Sequence, residues 1–561
     1  MTKKLRSNFE RGTSFWAVRR AQWRALGLTD ADMEKPKIAV INTSSELAIC
    51  FSHLDGIAKV VKDAIRAAGG LPFEIRTTAP SDFIHSPGHR GNYILAMRDL
   101  ITNDIEVQVE GARLDGMICL TSCDKTVPGQ LMAAARTNIP TLMVPCGYQP
   151  SGVFNNHHVD IEEVFLGAGH YVAGKIGFDE LLGMSENAIR GPGVCSGMGT
   201  ANSMHIVCEA LGMALPGSAP VLANSERMFD FVRAAGARIV AMVNEDLRPR
   251  QIMTRGAFAN AGRAVLAVSG SINCIKHLQA TAVEAETDID FYKLFEECTR
   301  STPVLSAVRP IGDTSIEAFE AAGGARSVMK QLEPLLDLDA LTVTGQSVGA
   351  NLRDAIVGDP EIIRPLDRPL SDKSGIVLVR GNLASGGGIV KVGLRRDKKL
   401  QFDGHAKCFE APDDAIAALR EGKLTAGDAV ILRGLGVRGG PAMGMASRVV
   451  FALDGAGLGP DVAVITDGQL SGLVNKGLVV GEVNPEAATG GTLALVRDGD
   501  RITVDAETGS IELHVPESEL TARRAHLVLK DQHSEEGWLA IYERSVQPLQ
   551  QGAALVQHRK A

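Results

Sequence analysis

Aromatic residues and cysteines are scarce in this chain, and long apolar runs are absent. Aromatics make up 4% of the 561 residues, and there are nine cysteines. A secreted disulfide framework is denser in cysteine and has an even number, so we expect reduced thiols. No stretch approaches about 18 uninterrupted apolar residues, so no membrane-spanning helix is predicted. Residues 1–28 carry charge throughout and lack the apolar centre of a secretory signal, which predicts a cytoplasmic protein.

A basic block that could follow a phosphate backbone is also missing. The net charge is −8, so nucleic acid is not an expected partner. With 45% hydrophobic and 22% charged residues, the chain has the composition of a globular enzyme or a large binding protein. Its length predicts roughly three or four domain-sized units.

The first 150 residues alternate between strand-like and helix-like patterns. Each apolar strand candidate is followed by a segment with helical spacing, which predicts a parallel α/β layer. We expect one helix to be capped by Asp55 and to stop at Gly69-Gly70. We therefore predict an α/β fold whose N-terminal parallel-sheet region forms two subdomains. The expected strands lie in 37–44, 71–77, 116–122 and 140–146, and further helices lie within 92–112 and 130–138.

The pattern changes after a polar, proline-containing stretch at 358–375. We place the main boundary near residue 375, which gives an N-terminal domain of residues 1–375 and a C-terminal domain of residues 376–561. Short strand-like pieces separated by Gly and Asp predict a β-rich, barrel-like C-terminal domain with a few helices and with no second βαβ half. The pieces lie in 375–382, 389–393, 428–434, 462–468 and 491–499, followed by a hairpin in 501–515.

Three cysteines lie in glycine-rich or strand-end loops, about seventy residues apart. Cys50, Cys123 and Cys195 do not have the spacing of a zinc finger or a ferredoxin, so they are either unrelated buried thiols or ligands of one metal. Cys123 follows a predicted parallel strand, and ligands bind where such strands end. We interpret the other six as structural: Cys119, Cys146, Cys208, Cys274, Cys298 and Cys408.

The residues beside Cys123 and Cys195 also offer chemistry. Asp124 is a ligand suited to a hard cation, and Lys125 offers an amine that could act as a base or, if carbamylated, as an oxygen ligand. The alternative is a solvated surface ion pair. Cys195 precedes a predicted helix whose free N–H groups would stabilise a thiolate or a carboxylate.

Two C-terminal glycine-rich loops carry weaker signals. Gly434, Gly436 and Gly439 form a G-x-G-x-x-G pattern after a strand, with Asp454 as the acidic residue of a dinucleotide fingerprint. Ser471 follows another strand, where it is either a turn residue or a base whose pKa a neighbouring cation lowers.

Ten ordered segments, spread over nearly the whole chain, resemble the dihydroxy-acid dehydratase and phosphogluconate dehydratase family. The residues TANSM at positions 200–204 are more similar to the dihydroxy-acid and sugar-acid branches of this family than to the phosphogluconate branch. The segments are RSNFERG, the Cys50 segment NTSSELAICFSHLDG, PSDFIHSPGHRG, TSCDKTVPG, GPGVCSGMGTANSM, SGSINCIKHL, RGNLASGG, GGPAMGM, TDGQLSG and VNPEAATGGTLALVRDGD.

The resemblance implies an iron-sulfur cluster held by three cysteines. Cys50, Cys123 and Cys195 match the family's cluster ligands, and analogy favours [2Fe-2S] over [4Fe-4S]. Three ligands leave one iron with an open position, and this iron would act as a Lewis acid on the C3 hydroxyl.

The resemblance also implies a magnesium ion and a catalytic base. Asp82 and Asp124 match magnesium ligands, and Lys125 matches a lysine that is carbamylated in the family to add an oxygen ligand. Magnesium would hold the substrate carboxylate and the C2 hydroxyl. Ser471 matches the residue that takes the C2 proton as an alkoxide. Loss of water then gives an enol, which tautomerises to a 2-oxo acid.

Two residues depart from the family pattern. Met445 stands where a GGPGMPE-type motif has a Glu magnesium ligand, and a thioether is a poor ligand for magnesium. Phe51 stands where Asn is common. Both departures predict a less polar pocket.

The main hypothesis is therefore dehydration of a branched-chain 2,3-dihydroxy acid, a small-molecule substrate, by a homo-oligomer such as a dimer or tetramer. Dehydration of a sugar acid such as an aldonate is the second hypothesis. Two others are a nicotinamide-dependent oxidoreductase that uses the Gly434 motif and a non-catalytic iron-sulfur sensor.

Overall fold

Two β-sheets, separated in sequence by a mostly helical segment, make up the framework of the protein. This computed structural model describes residues 5–394, 398–440, 443–471, 476–529 and 535–556, with backbone alone at 89 and 90. Pro441, Ala442 and Gly472, which belong to two of the motifs quoted above, lie outside the described residues.

The first sheet is fully parallel and has four strands. Their order, β2-β1-β3-β4, confirms the predicted parallel α/β layer. β1 and β3 are buried along their whole length, as expected for strands covered on both faces. The elements are α1 (Ser14–Ala25), α2 (Asp30–Met33), β1 (Lys37–Asn42), α3 (Leu54–Ala67), β2 (Leu71–Arg76), α4 (Asp82–His85), α5 (Tyr93–Ala112), β3 (Gly116–Thr121), α6 (Thr126–Thr137) and β4 (Thr141–Pro145).

The ends of α3 test the predicted helix signals. The helix begins at Leu54, so Asp55 lies inside its first turn and is not the cap. It ends at Ala67, and Gly69 has a φ of +87°, which glycine adopts without strain. The Gly70 N–H donates to the Ile65 carbonyl at 2.8 Å, so the predicted glycine stop is confirmed.

A hairpin and eleven helices follow before the second sheet. Every residue of the helix at Thr200–Ala210 is buried, so this helix lies inside the N-terminal core. The elements are β5 (Gly152–Phe154), β6 (His157–Val159), α7 (Ile161–Val172), α8 (Phe178–Asn187), α9 (Thr200–Ala210), α10 (Glu226–Glu245), α11 (Pro249–Ile252), α12 (Arg255–Ala267), α13 (Asn273–Glu284), α14 (Phe291–Thr299), α15 (Ile316–Ala321), α16 (Gly324–Gln331) and α17 (Val348–Leu352).

The second sheet has eight strands of mixed direction. Their order is β14-β13-β9-β10-β11-β12-β8-β7, and neighbouring strands from β9 to β12 are parallel. The elements are β7 (Ile376–Val379), β8 (Gly387–Lys391), β9 (Gln401–Phe409), α18 (Pro412–Arg420), β10 (Asp428–Leu432), α19 (Ser447–Gly455), β11 (Ala463–Thr466), β12 (Leu478–Asn484), β13 (Arg501–Asp505), β14 (Ser510–Leu513), α20 (Glu517–Ala525) and α21 (Gly537–Ser545).

The two edges of this sheet meet, so the sheet nearly closes into a barrel. The Arg380 N–H, just after β7, donates to the Gly509 carbonyl at 2.9 Å, and the Ile511 N–H donates to the Arg380 carbonyl at 3.0 Å. The Asn382 side chain donates to the Leu513 carbonyl at 2.8 Å and accepts from its N–H at 2.7 Å. Closure satisfies backbone groups that an open edge would leave unpaired. The predicted fold class is confirmed.

Two C-terminal predictions are wrong. The segment 491–499 forms a 3-10 helix at Thr492–Leu495, because a short buried apolar run does not by itself distinguish a strand from a helical turn. The expected absence of a second βαβ half is also wrong, since β9, α18, β10, α19 and β11 alternate with all three strands parallel. A few helices were expected in this domain, but the pattern did not locate α18 and α19 because each has only nine residues.

The domain boundary near residue 375 stays a prediction. The first sheet lies before it and the second after it. None of the helices among the described residues is long and apolar enough to cross a membrane.

Replacing Asn382 by Ala should weaken the closure of the barrel. The variant loses both bonds to Leu513, so we expect its free energy of unfolding to fall by about 1–2 kcal/mol. Chemical denaturation measures this change. In the control, Gln401→Ala removes one exposed bond to Asp505 and should change stability by less than about 0.5 kcal/mol. Equal stability of Asn382→Ala and the wild type would contradict the closing role.

Candidate functional site

One cavity is lined by residues that follow strands of both sheets. Met445 and Ser471 lie in the loops after β10 and β11, and most other lining residues come from the N-terminal region. The carboxyl ends of parallel strands from both sheets therefore border the cavity, as expected for ligand sites in α/β proteins. Its lining comprises Asp82, Phe83, Ser86, Asp124, Phe165, Cys195, Gly197, Gly199, Thr200, Ala201, Asn202, Met445 and Ser471.

The loops after the first three strands carry most of the predicted site residues. Cys50 follows β1, and Asp82 begins α4 after β2. Cys123, Asp124 and Lys125 lie between β3 and α6. Because these strands are parallel, their loops emerge at the same edge of the sheet and bring together residues that are distant in sequence.

The three predicted cluster cysteines lie in one neighbourhood. Contact with the Cys50 thiol is the first cause that raises the pKa of Cys123, followed by burial. Burial raises the pKa of Cys195, and the nearby Asp124 and Cys50 add to this effect. The thiolates of Cys123 and Cys195 are thus disfavoured by burial and by neighbouring negative charge. A cation bound among them would stabilise the thiolate forms.

Backbone pairing holds Cys195 in position. The Val194 N–H donates to the Gly147 carbonyl at 3.0 Å, and the Gln149 N–H donates to the Val194 carbonyl at 2.8 Å. The Asn202 side chain, in the first turn of α9, donates to the Cys195 carbonyl at 2.8 Å. The loop that carries Cys195 is therefore tied to the chain after β4 and to the start of α9.

Asp82, Asp124 and Lys125 form a buried charged group. Lys125 is fully buried and donates to the Asp82 Oδ2 atom at 2.8 Å. Burial raises the pKa of Asp124 to about 7, and the charge of Asp82 adds to the rise, while Lys125, Thr200 and the Ala201 N–H lower it. Burial lowers the pKa of Lys125, but the charges of Asp82 and Asp124 have the larger opposite effect. The pKa of Lys125 is therefore raised.

Two acceptor atoms at this cavity are buried and have no hydrogen-bond partner among the described residues. They are the Asp82 Oδ1 and Asn202 Oδ1 atoms. Buried acceptors are normally satisfied, and a carboxylate oxygen is a preferred ligand of a hard cation. Together with three thiols, this donor set fits the metal groups that the sequence predicted.

Ser471 and Met445 come from the C-terminal sheet. The Ser471 N–H donates to the Ser447 Oγ atom at 2.8 Å, which ties the loop after β11 to the start of α19. Met445 pairs with Gln469 through a parallel backbone bridge. The structure thus places a thioether in the cavity at the position where the family pattern has a carboxylate.

Sequence reasoning missed part of the cavity wall. Phe165, from α7, and Phe83, from α4, line the cavity and stack edge to face with a ring separation of 6.2 Å. Phe51, predicted to make the pocket less polar, is fully buried in the N-terminal core and does not line the cavity. The motif PSDFI contains Phe83, whereas nothing in the local pattern marks Phe165.

The cysteines interpreted as structural are free thiols, as are Cys50, Cys123 and Cys195. Cys119, Cys146, Cys208, Cys274 and Cys298 are buried, and Cys408 is partly exposed. Reduced thiols were expected.

The glycine motif of the C-terminal domain binds carboxylates of the protein itself. Asp467 accepts from the Gly434 and Leu435 N–H groups at 3.1 and 2.9 Å. Glu486 accepts from the Arg438 and Gly439 N–H groups at 3.0 and 3.2 Å. These donors would hold the pyrophosphate in a dinucleotide site, and two buried carboxylates there would repel a phosphate.

The two other features of this motif have structural roles as well. A Cβ at Gly436 would meet the Glu486 side chain at 1.9 Å, so glycine is needed for its close approach. Asp454, proposed as the ribose-binding acid, lies within α19 and approaches His170 at 3.6 Å. The motif therefore does not support the nicotinamide hypothesis.

Comparison with known proteins identifies the family. The N-terminal family model, Dihydroxy-acid/6-phosphogluconate dehydratase N-terminal, matches residues 35–351, and the corresponding C-terminal model matches residues 361–553. The Dihydroxy-acid dehydratase of Caldicellulosiruptor saccharolyticus is 41% identical over 542 residues, which cover 96% of this chain and 98% of the relative. The protein of the same name from Ignicoccus hospitalis is 39% identical over 544 residues, with 96% and 98% covered. The chain belongs to the dihydroxy-acid/6-phosphogluconate dehydratase family, so the predicted resemblance is confirmed.

Replacing Glu486 by Gln should change how stability depends on pH. Burial raises the pKa of Glu486 to about 7 from an unfolded value of 4.5, so its ionisation destabilises the fold as the pH rises through this interval. Gln keeps an acceptor for the loop but does not ionise. Relative to the wild type, the variant should gain on the order of 1–3 kcal/mol between pH 5 and pH 8.

Urea unfolding of both proteins at pH 5, 6, 7 and 8 measures this gain. Asp467→Asn should show the same trend at lower pH, because burial raises the pKa of Asp467 to about 6. If the stability difference between Glu486→Gln and the wild type stays constant from pH 5 to pH 8, the pKa of Glu486 is not raised in the folded protein and the prediction is wrong.

Proposed function

We propose that the protein dehydrates a 2,3-dihydroxy carboxylic acid to a 2-oxo acid. The observation that carries this proposal is the single cavity where thiol, carboxylate and serine side chains converge from both sheets. Membership of the dihydroxy-acid/6-phosphogluconate dehydratase family supports the same reaction. The protein would be a hydro-lyase.

We infer that Cys50, Cys123 and Cys195 bind the iron-sulfur cluster. Their proximity supports this, as does the raised pKa of Cys195, whose thiolate is disfavoured by burial and by the nearby Asp124 and Cys50. The [2Fe-2S] form remains an expectation from the resemblance.

Asp82 and Asp124 would bind magnesium. The Asp82 Oδ1 atom, which has no hydrogen-bond partner in the described part of the chain, and the proximity of the two carboxylates support this role. Carbamylation of Lys125 stays a prediction of the resemblance. When bound, the cluster and the magnesium ion would supply Lewis acidity to the leaving C3 hydroxyl and to the carboxylate end of the substrate.

Ser471, ionised to its alkoxide, would take the proton from C2 on its Oγ atom. The C2–H pair of electrons then forms the C2–C3 double bond as the C3–O bond breaks. The leaving hydroxide would take up the proton that Ser471 accepted, which gives water and restores the alkoxide. The enol product tautomerises to the 2-oxo acid. The bond from the Ser471 N–H to Ser447 would help to hold the base in place.

The cavity wall favours a substrate with an apolar side chain. Phe83, Phe165 and Met445 present apolar surface beside the carboxylates. A branched aliphatic group buries against such a wall, whereas the hydroxyl groups of a sugar acid would lose their hydration there. We therefore propose a branched-chain 2,3-dihydroxy acid as the substrate, with an aldonate as the alternative. A cytoplasmic location and a homo-oligomer remain expectations.

Turnover by cluster-loaded protein in the presence of magnesium tests the reaction and the substrate together. With 2,3-dihydroxyisovalerate and aldonates offered separately, the branched-chain acid should give the 2-oxo product with a kcat/KM at least about tenfold higher. Ser471→Ala should lower kcat by about 10²- to 10⁴-fold and leave the visible spectrum of the cluster unchanged. Oxo acid formation is followed as its hydrazone.

The control variant is Ser185→Ala, because Ser185 is exposed on α8 and outside the cavity lining. It should retain wild-type kcat. If protein with an intact cluster forms no oxo acid from any of these substrates, the proposed reaction is wrong and the sensor hypothesis becomes the better one.

A further inference from the structure

A buried ion pair joins the two halves of the protein beside the cavity. Lys276, on α13, contacts Glu482, on β12, with a separation of 2.5 Å, and both side chains are completely inaccessible to solvent. Glu482 has a φ of +56°, which is uncommon for a residue with a side chain, and it lies where the register of β12 and β8 shifts. Such a pair adds little to stability compared with well-packed apolar residues, so its presence calls for another explanation.

The ion pair fixes the orientation of a neighbouring amide. Lys276 also donates to the Asn273 Oδ1 atom. An ammonium group can only donate, so the amide oxygen of Asn273 faces Lys276 and its two N–H bonds point away. These N–H groups donate to the Thr200 Oγ1 atom and to the Leu470 carbonyl, both at 3.1 Å.

The two acceptors of Asn273 belong to opposite walls of the cavity. Thr200 is the first residue of α9 and lines the cavity, where its hydroxyl interacts with Asp124. The Thr200 oxygen accepts from Asn273 and also contacts the Ser271 hydroxyl at 2.9 Å. With Ser271 donating to Thr200, the Thr200 proton donates to the Asp124 carboxylate, a bond that lowers the pKa of Asp124. Leu470 immediately precedes Ser471. The Asn273 amide therefore connects Thr200, which contacts the proposed magnesium ligand, with Leu470, which precedes the proposed base.

We propose that Lys276, Glu482 and Asn273 are positioning residues, which hold Asp124 and Ser471 in register across the cavity. This inference rests on the proposed function for the roles of Asp124 and Ser471. None of the three lines the cavity, so each would act through Thr200 and Leu470 without touching the substrate. A network of this kind typically changes metal affinity or activity by about 10- to 100-fold when it is removed.

The double variant Lys276→Met/Glu482→Leu separates positioning from folding. It removes both charges together, so neither is left unpaired in the interior, and the fold should persist. Asn273 then loses the donor that orients it. We expect magnesium binding to weaken at least about tenfold, measured by calorimetry on cluster-loaded protein without substrate, and kcat to fall by a similar factor with a smaller change in KM.

A second variant tests the amide itself. Asn273→Asp keeps the size of the side chain but removes both N–H donors, so it should lose magnesium affinity and kcat to a similar extent. Retention of wild-type values in this variant would overturn the assigned role of Asn273.

The control is a second ion pair that involves α13, between Glu284 of α13, which is fully buried, and Arg136 of α6, which is partly buried. Arg136 binds Glu284 through two bonds of 2.8 and 2.7 Å, and neither residue lines the cavity. Arg136→Met/Glu284→Leu should retain magnesium affinity and kcat even where its melting temperature falls.

Two results would overturn the proposal. One is a folded Lys276→Met/Glu482→Leu variant with wild-type magnesium affinity and kcat, and the other is an equal loss in the control. The calorimetry needs no turnover. If the wild type binds magnesium but dehydrates no acid, the proposed function fails while the positioning role remains measurable.

Discussion

Buried negative charge is the constraint on which the cavity depends. Asp82 and Asp124 lie close enough for their charges to interact, and the thiols of Cys123 and Cys195 are disfavoured as anions by the same neighbours. Lys125 compensates for only part of this charge, because a single ammonium faces two carboxylates. Isolated charges are costly in an interior, so this arrangement is stable with Asp124 and the thiols of Cys123 and Cys195 protonated or with cations bound among them. Membership of the dihydroxy-acid/6-phosphogluconate dehydratase family supports cation binding.

Parallel strands explain how such a cavity is assembled. Each strand of the first sheet ends at the same edge, so three successive loops deliver thiol, carboxylate and amine groups to one place. The nearly closed second sheet repeats this arrangement with its own parallel strands and supplies Met445 and Ser471. Closure through Arg380 and Asn382 stiffens the sheet that carries them. The buried Lys276–Glu482 pair connects α13 with β12 of the second sheet.

Much of the fold and of the site could be predicted from the sequence, and the features that were missed were missed for physical reasons. Buried strands such as β1 and β3 were predictable because continuous apolar runs bounded by turn residues are distinctive, and family motifs pointed to the residues now found around the cavity. The 3-10 helix at Thr492–Leu495 and the short helices α18 and α19 were missed because short apolar segments do not fix their own conformation. Phe165 and the Lys276–Glu482 pair depend on tertiary contacts between distant segments, which no local pattern encodes.

The most direct test of the central claim is the iron content of variants reconstituted anaerobically with iron and sulfide. Cys50→Ala, Cys123→Ala and Cys195→Ala should each lose bound iron and the visible absorption of the cluster. Cys408→Ala, which alters a thiol on β9 of the C-terminal sheet, should retain both. Wild-type iron content and absorption in any of the first three variants would contradict the assignment of that cysteine as a cluster ligand.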